Sequence, residues 1–162
     1  MTKSITPLKI NYLDASAAVR LVLNEPGSDD LRKYFDAEDS GSFHIMSLCL
    51  AEALGVLKRK WHPEQTISMK DYFDKCYLLL ALVRGKPKLI HLDDTYLSDL
   101  NVFTATEKIA KRYALDLSDA LQLVTIKQRF GKLKPKPLLI TADSALAAAA
   151  QKEDISVWKC SR

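Results

Sequence analysis

Four acidic residues, Asp14, Glu52, Asp119 and Asp143, stand where apolar segments end or turn, in the contexts INYLDAS, SLCLAEALGVL, LDLSDALQLV and LLITADS. Carboxylates gathered into one place repel one another, so such a group either holds protons or takes a cation. Oxygen-only donors suit a hard divalent ion, Mg²⁺ or Mn²⁺, and the chemistry such an ion supports is hydrolysis of a phosphodiester. The ion offsets charge developing on the phosphate and makes a coordinated water easier to deprotonate.

Each acid also has a plain structural role open to it. Asp14 and Asp143 each precede a helix-like stretch and fit as N-caps. Asp119 follows Ser118, itself a good cap, and an acid in a first helical turn interacts well with the helix dipole. Glu52 lies about one turn into a helical stretch, among Leu48, Leu50, Leu54, Val56 and Leu57. It is either a solvent-facing residue of an amphipathic helix or a polar group in a wide apolar stripe. Gly55 costs helix stability there, and close packing is its expected reason.

The elements that must position these acids alternate between short apolar runs and helical stretches. The expected strands are Leu8–Leu13, Phe43–Met46, Lys88–Leu92 and Leu138–Thr141, with Ile155–Trp158 as a short fifth. Helices are expected from Ser16 to Asn24, where Glu25-Pro26-Gly27 stops the first, then over Asp29–Ala37, Leu48–Trp61, Met69–Arg84, Leu97–Tyr113, Asp119–Phe130 and Ser144–Lys152. The Trp61-His62-Pro63 break makes a two-helix insertion between strands. Such alternation predicts a parallel sheet with helices on both faces, and open sheets of that kind bind ligands at the carboxyl ends of their strands. Asp14 and Asp143 follow two of those ends directly.

At 162 residues the chain fits one domain, 1–162. Its 48% apolar and 27% charged residues exclude a disordered or fibrous chain. Three scattered cysteines and three histidines argue against a disulfide framework or structural zinc and favour a reducing, cytoplasmic setting. No apolar run reaches membrane-spanning length, and MTKSITPLK has no signal-type core. The net charge of +4 leans towards an anionic partner. Lys58-Arg59-Lys60 is a candidate contact to a nucleic-acid backbone or a solvated helix end. The run Lys127, Arg129, Lys132, Lys134 and Lys136 is expected at the far end of the sheet, in solvent. Asp93-Asp94 reads as a turn or cap, His44 and His91 as core or edge residues, and Trp61, Tyr72, Phe73 and Tyr77 as packing of the inserted helices.

From Tyr12 to Trp158 the set Asp14-x-Ser16, Glu52 on the third helix, Ser118-Asp119-Ala120 opening a late helix and Thr141-x-Asp143 resembles the PIN-domain nucleases, especially VapC-type toxins of bacterial toxin–antitoxin pairs. The resemblance implies a three-layer α/β/α fold with a five-stranded parallel sheet and a two-helix clip, Mg²⁺- or Mn²⁺-dependent endoribonuclease activity, a cognate antitoxin protein and a homodimer. It assigns Asp14, Asp119, Asp143 and Glu52 to the metal and catalytic site, with Glu52 orienting or deprotonating the attacking water. Ser16, Ser118 and Thr141 would supply supporting or substrate-binding hydroxyls. The chain departs from the family pattern at Asp116, which competes with Asp119 for the place facing the site. Two alternatives stand beside this reading. A silent PIN-like module would bind protein or RNA without cleaving it. A haloacid-dehalogenase-like phosphatase would need a second Asp where Ser16 stands.

Overall fold

The computed structural model describes residues 9–132 and 134–160. In chain order the elements are β1 (Ile10–Leu13), α1 (Ala15–Val22), α2 (Ser28–Asp36), β2 (Ser42–Ile45), α3 (Ser47–Trp61), α4 (Met69–Val83), β3 (Ile90–Leu92), α5 (Leu100–Tyr113), α6 (Leu117–Phe130), β4 (Leu138–Thr141), α7 (Ser144–Lys152) and β5 (Ser156–Lys159). The expected first strand and the signal-type reading both reach into 1–8, which lie outside the described residues.

Every strand pairing is parallel, in the order β3-β2-β1-β4-β5. Parallel pairing forces crossover connections, and the helices supply them. Successive residues of β2 show the two covered faces, because neighbours on a strand point to opposite sides. Phe43 meets Tyr34 and Phe35 of α2, whereas His44 meets Phe130 of α6. Right-handed crossovers that run outward from β1 to β3 place α1–α4 on one face, and those running from β3 back to β4 and β5 place α5–α7 on the other. The result is a three-layer α/β/α fold whose clip is the α3–α4 pair.

The core lies on both sides of the sheet, with Leu13, Phe43, Ile45, Ile90, Leu139 and Ile140 fully buried. The central strands β1 and β4 are buried on both faces and read as near-continuous apolar runs, which is why they are visible in the sequence. On the α6 side His44 is held by Asp93, Nδ1 to Oδ2 2.8 Å, and stacks on His91. Asp94 accepts hydrogen bonds from the backbone N–H and hydroxyl of Ser47 and so fixes the start of α3. The pair Asp93-Asp94 therefore anchors elements.

Two expectations need correction. Gly55 does not serve close packing, since a Cβ there would meet no atom within 4 Å. Arg129 is exposed as expected but does not lie at the far end of the sheet. It reaches Asp93 at 3.7 Å and donates to the carbonyl of Asp94, just past the carboxyl end of β3. Lys127 and Lys136 are likewise paired, with Glu153 and Asp154.

Candidate metal centre

The strand order reverses between β1 and β4, where neighbouring connections leave to opposite faces and open a crevice. Asp14 ends β1 at that point, its N–H bonded to the carbonyl of Ile140 across the gap. Its side chain is buried and heavily bonded. Oδ1 accepts from Ala15 N at 2.7 Å, which caps α1, and Oδ2 accepts from the hydroxyls of Ser16 and Thr141, each at 2.8 Å. Those hydroxyls are themselves fixed, Ser16 Oγ accepting from Ala142 N and Thr141 Oγ1 from Asp143 N, each at 2.9 Å. Two strand ends and a helix start are thus locked around one carboxylate.

A cavity of about 240 Å³ opens above it, lined by Asp14, Glu52, Asp116, Asp119 and Asp143 among others. The fold brings all four sequence-selected acids together across more than a hundred residues of chain. Asp143 caps α7 by accepting from Leu146 N, so it is a cap and a cavity wall at once. Glu52 is exposed on its helix, yet its exposed side is the one that faces the cavity. Burial first, then the neighbouring charges of Asp14 and Asp116, push its carboxyl above the usual range.

Asp116 and Asp119 both line the cavity, so they share the place for which they compete in the sequence. Helix α6 begins at Leu117, two residues earlier than expected, because Asp116 is its N-cap and accepts from Asp119 N at 2.9 Å. That bond occupies one Asp116 oxygen and leaves Asp119 to the crevice. The Asp119 carboxyl is pushed up to about 7, first by burial and then by Asp116, Asp14, Asp143 and Glu52. At neutral pH it therefore shares a proton that a cation would displace. Ser118 is half-buried and does not line the cavity, so the structure gives it no part in the group.

Two charged wall residues stand outside the candidates that the sequence offers, Arg20 and Glu25. Arg20 follows Ser16 by one helical turn and so shares its face of α1, which was the available signal. Glu25 stands in the Glu25-Pro26-Gly27 stretch that stops α1 and carries no further signal in the sequence. Of the basic run on α3, Lys60 pairs with Glu25, Lys58 sits over the Trp61 ring at 4.6 Å, and the charge of Arg59 acts on Glu52.

The donor set fits a hard divalent ion. Among the described residues no three His, Cys, Asp or Glu side chains stand close enough together to hold a metal ion by themselves. Six carboxylates, Glu25 included, instead border a space with room for water, which matches Mg²⁺, an ion that keeps several waters and takes few protein ligands. Cys49, buried beside Asp14, Glu52 and Asp119, is no competitor as a ligand, because burial and those charges hold its thiol protonated.

Comparison with known proteins agrees with this fold. The family model described as PIN domain matches residues 12–157. No curated protein matches the chain. Among solved structures the chain is similar to one described as a domain of a functionally unknown protein from Methanocaldococcus jannaschii DSM 2661. The identity is 11%, the TM-score 0.50, and the match covers 95% of this chain and 92% of that one. At that identity the likeness is one of fold.

Proposed function

Because this chain belongs to the PIN domain family, whose members share a nuclease-type fold, we propose that it is a Mg²⁺- or Mn²⁺-dependent endoribonuclease and the toxin of a toxin–antitoxin pair. The observation that carries the reading is the convergence of Asp14, Glu52, Asp119 and Asp143 on one crevice, with Asp119 pushed up to about 7. A parallel sheet gathers helix caps at one edge, but capping does not account for Glu52, which lies within α3, and stability alone would not select repulsion of this kind.

When bound, a divalent ion supplies positive charge against the phosphate and makes water a better nucleophile. Asp14, its carboxylate oriented by three donors, would hold that ion with Asp119, which gives up its proton to do so. Asp143 adds charge from the start of α7. Glu52 is the proton acceptor, since it lies across the cavity on another element and burial with the neighbouring charges raises its affinity for a proton. Water attacks phosphorus, its proton passes to Glu52, and the bond to the ribose 3′-oxygen breaks, that oxygen taking a proton from solvent to become the 3′-hydroxyl.

The products are diagnostic. Attack by water leaves 5′-phosphate and 3′-hydroxyl ends, whereas attack by a ribose 2′-hydroxyl leaves a cyclic phosphate. Incubation of single-stranded RNA with purified protein is expected to give 5′-phosphate ends in Mg²⁺ or Mn²⁺ and none in chelator. Undiminished cleavage in chelator, or cyclic phosphate ends, would defeat the mechanism.

A further inference from the structure

Arg20 is the cation among the residues that line the acid cavity. Only 9% of its side chain is exposed, and it is held in a fixed pose, Nε donating to the carbonyl of Pro26 and Nη1 to that of Ser16, each at 3.0 Å. The same Nη1 lies 3.4 Å from Oε2 of Glu25. The other oxygen, Oε1, takes Lys60 Nζ of α3 at 2.8 Å. One carboxylate thus bridges two cations from separate elements, an oxygen turned to each. A phosphodiester carries the same charge and two free oxygens, and could bridge the same pair. The trio keeps a net positive charge at the edge of an otherwise acidic wall. Glu25 also lines a second surface groove of mixed charge, with Asp29, Asp30, Arg32 and Lys33, so the position is the passage between that groove and the acids.

We propose that Arg20 and Lys60 form a seat for an RNA backbone phosphate next to the scissile one, and that the Glu25 carboxylate competes with that phosphate for the seat. The inference rests on the nuclease reading above and adds to it the direction in which the strand leaves the acid site. It also explains how a polyanion enters a cavity walled by carboxylates. The scissile phosphate meets the divalent ion, and its neighbour meets a prepared pair of cations.

Opposite signs are expected from two mild substitutions. Glu25→Gln keeps the shape of the side chain and removes the negative charge between the two cations, whereas Lys60→Gln removes one of them. Each is introduced into an Asp119→Asn background, which stops cleavage, and binding of a short single-stranded RNA is titrated over a range of KCl in Mg²⁺ buffer. Glu25→Gln is expected to bind several-fold tighter, with the salt dependence of log K steeper by about 0.7, the value for one more phosphate contact on a single strand. Lys60→Gln is expected to bind several-fold weaker, with the slope reduced by a similar amount. A structural ion pair would act differently, both substitutions lowering the melting temperature and neither altering the slope. Equal slopes in all three proteins, or weaker binding for Glu25→Gln, overturns the seat. A wild type that neither binds nor cleaves RNA overturns the nuclease reading and the seat with it, whereas a cleaving wild type with unchanged slopes overturns the seat alone.

Discussion

Asp119 is the residue whose chemistry the fold alters most, and its titration can be followed without substrate. Its carboxyl moves from 3.8 to about 7, so between those values the folded protein holds a proton that the unfolded chain releases. Stability therefore falls as pH rises through that window and levels off above it, the reverse of a salt-bridged carboxylate. In metal-free buffer the melting temperature is expected to drop between about pH 5 and 7, and Asp119→Asn is expected to flatten that part of the profile. Above pH 7 the variant should melt no lower than the wild type. Millimolar Mg²⁺ should restore the wild type there by binding the folded state, and restore the variant far less. Parallel profiles for the two proteins, with and without Mg²⁺, would show that Asp119 is not crowded in the folded state and would take the metal centre with it.

At the scale of elements, two helices carry separable roles in a single carboxylate. Asp116 caps α6 and also borders the cavity, so Asp116→Ala should cost about 0.5–2 kcal/mol in chelator as well as in Mg²⁺. A loss seen only with Mg²⁺ would show that the cap contributes nothing. On α3, Gly55→Ala meets empty space and should stabilise the helix by about 0.5–1 kcal/mol. A lower melting temperature would mean that the helix needs its glycine. These elements explain what was legible beforehand. The five strands were readable because each is a short apolar run ended by a polar residue. Asp14 and Asp143 were readable because they follow such runs directly. The start of α6 was not, because the stretch Asp116-Leu117-Ser118-Asp119 offers three caps, and only the bond to Asp119 N selects the first. Arg20 and Glu25 were hidden for another reason. Their meaning depends on Lys60, which lies on a different element and comes near only through the packing of α1 on α3.

For the whole molecule, apolar surface is what a monomer leaves unexplained. On α4, Met69, Phe73 and Tyr77 follow one another at intervals of four residues, so they form one stripe along the helix, and they are 58%, 46% and 70% exposed. Tyr96, Leu100 and Phe103 are exposed near the start of α5. Neither set has a place in the core, because the clip helix α4 turns Leu79 and Leu82 inward and gives this other face to solvent. Soluble monomers rarely keep such patches uncovered. We expect the α4 stripe to be buried in a homodimer or against a partner protein such as an antitoxin. Sedimentation or light scattering of the purified chain should then show concentration-dependent association. Tyr77→Glu, placed at the most exposed point of the stripe, should weaken it while leaving the melting temperature of the dilute protein within about half a kcal/mol of unchanged, as is usual for an exposed surface site. The substitution lies on the clip and touches none of the acids, so metal-dependent stabilisation should also persist. A wild type that remains monomeric at high concentration and binds no hydrophobic dye would leave the stripe without a function in assembly.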